Sequence, residues 1–127
     1  MSQVSTDGIR VTVEATYWPE RSLPQQGRYA FAYQVEIHNE GTEEATLQSR
    51  HWLITDATGR VEEVRGEGVV GKQPRLGPGQ AFEYASWALL KTPYGAMRGS
   101  YEMERPDGST FDAAVAEFSL SQPHGLN

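Results

Sequence analysis

The chain has 127 residues, a net charge of −6 and no cysteine. That is the length of one domain, and the missing thiols exclude a disulfide scaffold, a thiolate zinc site and a cysteine nucleophile. The acidity, with no Lys/Arg run, argues against nucleic acid and anionic membrane surfaces as partners.

Met1 to Arg10 carries no apolar stretch of signal-peptide length, and no apolar run approaches a membrane span, so the expected compartment is the cytoplasm. The first eight residues are expected to fray, as is the tail from Gln122 to Asn127, which leaves one domain over 1–127 with an ordered core at 9–121. Between them the chain reads in period two. Ile9, Val11, Val13, Ala15 and Tyr17 alternate with Arg10, Thr12, Glu14 and Thr16. Tyr29, Phe31, Tyr33, Val35 and Ile37 alternate with Ala30, Ala32, Gln34, Glu36 and His38. Each set places its apolar members on one face of a strand. From Ala45 to Thr55 the phase slips: Leu47 falls on one face, Trp52 and Ile54 on the other. A β-bulge near Ser49 and Arg50 reconciles the two halves.

A short strand from Val61 to Arg65 comes next, and then a glycine-rich loop. Phe82 and Tyr84 resume the alternation. Trp87, Ala88, Leu89 and Leu90 run apolar without it and are expected to be buried where a strand crosses the core. Met97, Tyr101 and Met103 alternate again, with Gly99 in the same row. Pro106-Asp107-Gly108 reads as the tip of a last hairpin, and a second slip separates Phe111, Ala113 and Val115 from Phe118 and Leu120. Turn chemistry at Asn39-Glu40-Gly41, Asp56 to Gly59 and Leu76 to Gly79 punctuates the rest. About seven antiparallel strands in roughly 100 residues, with no helix of ordinary length, predict an all-β immunoglobulin-like or fibronectin-III-like sandwich.

Gly66-Glu67-Gly68-Val69-Val70-Gly71 matches GxGxxG. In a dinucleotide fold this string opens a helix whose amides hold the pyrophosphate. Here Lys72-Gln73-Pro74-Arg75-Leu76-Gly77-Pro78-Gly79 follows, which cannot start a helix, and no βαβ unit exists. A weaker anion site remains: a nest of glycine amides flanked by Arg65, Lys72 and Arg75 against a single acid, Glu67. The simpler reading is a tight bend that lets Val69 and Val70 tuck inward.

His38, His51 and His124 have no chelating spacing, and Glu43-Glu44 and Glu62-Glu63 point to opposite faces of any strand, so no metal site is expected. Ser49 and His51 lie two apart but have no orienting acid, and no catalytic residue is assigned. Arg50-His51-Trp52 reads as Trp52 in the core and Arg50 paired with an acid. Arg50 and His51 are also a candidate partner-binding pair, because Arg beside an aromatic is common in interfaces.

The ordered string Ser49-Arg50-His51-Trp52, Ile54-Thr55-Asp56, Gly66 to Gly71, Gln73-Pro74, Pro78-Gly79, Phe82, Tyr84, Ser86, Thr92-Pro93, Gly95, Met97 and Gly99-Ser100-Tyr101 resembles the ApaG family, from about Tyr29 to Leu120. The resemblance implies a fibronectin-III-like sandwich and a bacterial cytoplasmic protein with no established enzymatic activity; no enzyme activity and no cofactor are expected. ApaG-like domains also occur as modules in an F-box protein and in a DNA-polymerase-delta-interacting protein, which implies that another protein is the partner. The family's efflux label implies an indirect link to cobalt and magnesium homeostasis. Two alternatives stand beside protein binding. One is a pyrophosphate or polyphosphate-nucleotide site at Arg65, Gly66, Gly68, Gly71, Lys72 and Arg75, and the other is direct binding of a divalent metal. Exposed edge strands leave a dimer open. Two positions depart from the family pattern: Lys72 stands where an acid is usual, and Trp87 where glycine is usual.

Overall fold

The computed structural model describes residues 1–123 and contains nine strands. They are β1 (Ser2–Thr6), β2 (Ile9–Tyr17), β3 (Tyr29–Asn39), β4 (Ala45–Asp56), β5 (Val61–Glu67), β6 (Arg75–Leu76), β7 (Ala81–Leu90), β8 (Tyr94–Glu104) and β9 (Thr110–Ser121). One sheet has the order β1-β2-β3-β7; the other has β5-β4-β8-β9, with β6 continuing the β5 side of β4. All pairings are antiparallel, and the sheets pack face to face as a sandwich. Two 3-10 turns, Pro19–Arg21 and Pro24–Gln26, link β2 to β3. Among the described residues no helix is long and apolar enough to cross a membrane.

The period-two rows become the core. Val11, Val13, Phe31, Val35 and Ile37 from one sheet meet Leu47, Met97, Tyr101, Met103 and Leu120 from the other, all buried. Full burial of a side chain of this size contributes about 1.5–3 kcal/mol. Tyr33, Trp52, Tyr101 and Phe118 form an edge-to-face aromatic cluster at the centre.

Both phase slips are bulges. On β4 the register to β8 shifts between Leu47 and Ser49, so Leu47 faces Met103 while Ser49 already faces Glu102. The extra residue turns Arg50 to the inner face, in phase with Trp52 and opposite the buried Tyr101. On β9 the register shifts between Val115 and Phe118. Pro106-Asp107-Gly108 is the β8–β9 turn, closed by a bond from the Gly108 amide to the Arg105 carbonyl.

Several expectations need correction. There are nine strands where about seven were expected, because β1 and the two-residue β6 have too little alternation to stand out. The first residues do not fray: Ser2–Thr6 pairs along Ile9–Val13, and Ser2 is buried. Gln122 and Pro123 follow β9, with the Gln122 amide bonded to the Pro93 carbonyl, and the rest of the expected frayed tail lies outside the described residues. The run Trp87 to Leu90 is not buried throughout. It alternates as part of β7: Ala88 and Leu90 are inside, Trp87 and Leu89 outside. Trp87 has an ordinary extended backbone, so no glycine-only conformation is required there.

Candidate functional site

The two long seams of the sandwich differ. On one side β9 lies against β1 and β2. The Ala114 amide donates to Thr6 Oγ1 at 3.1 Å, and Arg105 Nη2 donates to the Asp7 carbonyl at 2.7 Å. That seam is closed. On the other side β5 and β7 are the sheet edges and scarcely approach each other. A groove runs between them in two connected parts that share Ile54 and Glu62. One part, about 310 Å³, is lined at its polar end by Asp56, Arg60 and Lys91. The other, about 280 Å³, includes Tyr33, Arg50, Trp52, Val64, Ser86 and Met97 in its lining.

Arg50 governs the second part. It sits opposite Gly66 on β5, and a Cβ there would come within 2.7 Å of the guanidinium carbon. The glycine therefore leaves the room in which the guanidinium lies. Arg50 Nη1 donates to the carbonyls of Glu67 and Gly68, at 3.1 and 2.9 Å. This corrects the expected pairing with an acid, since among the described residues Arg50 makes no ion pair. Beside it the hydroxyls of Tyr84 and Tyr101 share one hydrogen bond of 2.5 Å. Burial pushes both phenols, and that of Tyr33, above their ordinary range, while Arg50 pulls the other way. The Trp52 indole Nε1 is buried and has no hydrogen-bond partner among the described residues.

Of the sequence-predicted residues, Arg50, His51, Arg65 and Gly66 line one open hollow of about 450 Å³ together with Glu67, Glu102 and Asp112, whose carboxylates oppose an anion there, while Lys72 and Arg75 lie outside it. His51 lies on the outer face of β4, where Nε2 donates to Glu63 Oε2 at 2.5 Å. Arg65 holds the same carboxylate at 3.0 Å. Those two contacts, His51 first, lower the pKa of Glu63. Arg75 pairs with Glu44 at 3.4 Å on the far side of the loop. The loop itself is a hairpin turn. Val69 and Lys72 exchange two backbone bonds, and Val70 and Gly71 both have positive φ, 44° and 78°. This is the backbone of a type I′ turn, and valine is unusual in it. The Gly68 amide is likewise taken, by the Gln48 carbonyl. Three loop amides thus donate within the chain. Val69 does tuck inward, but Val70 is exposed, contrary to expectation, because the turn points it to solvent. Among the described residues no group of three His, Asp or Glu side chains is placed to hold a metal ion.

Residue reasoning missed three features. Trp87 is 55 % exposed on the outer face of β7, opposite the small Ala32. Trp18, Arg21 and Trp87 line a shallow apolar hollow beside it, with the Arg21 guanidinium 5.5 Å from the Trp18 ring centre. The open β5–β7 seam was also missed, since it depends on strand order. The inward turn of Arg50 was implicit in the slip between Leu47 and Trp52, which puts residue 50 in phase with Trp52.

Comparison with known proteins places the chain in a family. Residues 19–105 match the family model described as ApaG domain. Protein ApaG of Anaeromyxobacter dehalogenans strain 2CP-C is 55 % identical over 127 residues, covering all of both chains. Protein ApaG of Azotobacter vinelandii is 55 % identical over 119 residues, covering 94 % of each. The crystal structure of the proposed ApaA protein of Bordetella pertussis superposes with a TM-score of 0.88 at 50 % identity, over 92 % of this chain and 95 % of that one. The C-terminal domain of wzt, at 11 % identity and a TM-score of 0.56 over 98 % of this chain and 78 % of that one, shares the fold alone.

Proposed function

This chain belongs to the ApaG family, and we propose that it works in the cytoplasm as a non-enzymatic module that recognises another protein along its open seam. The observation that carries this reading is the character of β7. An edge strand is a template for another strand unless it is short, charged, interrupted or covered. β5 is guarded by Glu62, Glu63, Arg65 and Glu67, β1 has five residues, and β9 is covered. β7 has ten residues with a single charge, Glu83, and no Lys, Pro or Gly. It also presents Trp87 and Leu89 outward, next to Trp18 and Arg21. Exposed Trp and Arg side by side are the usual anchors of protein interfaces. Strand addition supplies main-chain bonds, and the flanking side chains supply selectivity.

A photo-cross-linking residue in place of Trp87, in cells, should trap a discrete protein adduct. The same residue in place of Ala114, on the closed seam, should not. Equal adducts from both positions, or none from either, would overturn the reading.

A further inference from the structure

The inner wall of the open seam carries an excess of hydrogen-bond donors. Arg50 is a cation with no carboxylate partner among the described residues, and only its Nη1 is engaged. Trp52 is 3 % exposed, and its Nε1–H has no acceptor. A buried donor without an acceptor is costly, and a cation without a carboxylate partner in a cleft attracts a negative group. The remaining walls are mixed: Ile54, Val64, Ala88 and Met97 are apolar, while Glu62 and Ser86 are polar. At about 280 Å³ this part of the groove is at the small end of ligand sites.

We propose that the cleft between β5 and β7 is a binding site for a carboxylate on an apolar stem. Arg50 takes the carboxylate, Trp52 donates to it through Nε1, and the stem lies against Ile54, Val64 and Met97. Arg50 suits the role because the Glu67 and Gly68 carbonyls fix its guanidinium in place before any ligand arrives. Glu62, which also lines the cleft, opposes a second negative charge, so the site selects a monoanion over a polyphosphate. The carboxylate has two sources, a free small acid or the C-terminus of a peptide with an apolar last residue. The cleft shares Trp87 with the surface proposed for strand addition, but it is read by ligand titration at Arg50 and Trp52, whereas that reading is tested by cross-linking at residue 87, so the two can fail separately.

The test uses the full chain, isotope-labelled, with the Trp52 indole signal as readout. Hexanoate at millimolar concentration should shift that signal saturably; hexanamide and pyrophosphate should not. A hexapeptide ending in a free Leu carboxylate, set against its C-terminal amide, separates the sources. Tighter binding of the free-acid peptide than of hexanoate assigns the terminus, the reverse order assigns the small acid, and either result supports the site. Arg50→Gln should weaken hexanoate tenfold or more. Gly66→Ala, which keeps the charge but displaces the guanidinium, should do the same with an unchanged fold by circular dichroism, and Trp52→Phe, followed through the backbone amides of Val61–Glu67, should weaken binding while keeping the aromatic packing. An indole signal that ignores every carboxylate, that responds equally to hexanamide or pyrophosphate, or an affinity untouched by Gly66→Ala, would overturn the proposal.

Discussion

The closed seam and the open seam are both built from antiparallel edge strands, yet they treat their edges in opposite ways. At the closed seam β9 packs against β1 and β2, Thr6 and Arg105 bond across, and the side chains beneath, Ile9, Val11 and Val13, are wholly buried. At the open seam β5 is charged, β7 is apolar, and between them lie a cation without a carboxylate and an indole without an acceptor. One seam holds the domain together. The other leaves surface and polar capacity unspent, which is what a binding site needs and a purely structural edge does not. The same contrast separates two glycine-bounded stretches. The turn at Val69 to Lys72 bonds its own amides, whereas Gly66 only makes space for Arg50.

The largest effect should come from the closed side. Ile9→Ala, at a position with no exposure, should cost about 2–5 kcal/mol in denaturant unfolding. Trp87→Ser, on the open side, should change stability by no more than about 0.5 kcal/mol despite removing a larger side chain. Comparable losses at the two positions would erase the contrast. A smaller effect of opposite sign is expected in the turn. Val70 is a β-branched residue at a φ of 44°, so Val70→Asn should raise stability by about 0.5–1 kcal/mol, seen as a higher denaturation midpoint. An unchanged or lower midpoint would contradict the turn assignment.

Much of the fold could be read from residue types because a half-buried strand must alternate, and this chain alternates in its long strands. Even the two bulges were visible, as breaks in phase at Leu47/Trp52 and Val115/Phe118. β1 was not, because Ser2-Gln3-Val4-Ser5-Thr6 owes its order to pairing with Ile9–Val13 and to cover by β9 rather than to its own composition. The Trp87–Leu90 run was misread for a related reason. An apolar residue on the outer face of an edge strand and one in the core have the same letter, and only strand order tells them apart. The site divides the same way. Arg50 could be singled out beside Trp52, but its partner Tyr101 is 51 residues away in number and joins it only through the β4–β8 register. The glycine motif attracted attention by its spacing, while its main contribution in space is one missing side chain at Gly66.

A further effect concerns pH. Burial raises the pKa of Tyr33, Tyr84 and Tyr101 in the folded state. Their contribution is therefore complete below about pH 10, the value for a free phenol, and is lost as the pH climbs above it, because the unfolded chain then releases protons that the folded one retains. Tyrosinate absorbance from these three residues should appear together with the loss of circular dichroism. Their ionisation in a fully folded protein would place them in solvent and contradict the closed aromatic core around Arg50.

The most direct test of where this protein meets its partner is a spectrum of the isotope-labelled chain in a concentrated bacterial lysate. The account predicts that amide signals of Ala81–Leu90 and Val61–Glu67 broaden or shift while those of Ser2–Thr6 and Thr110–Ser121 stay as in buffer. Broadening spread evenly over both seams, or confined to the turn at Val69 to Lys72, would contradict it.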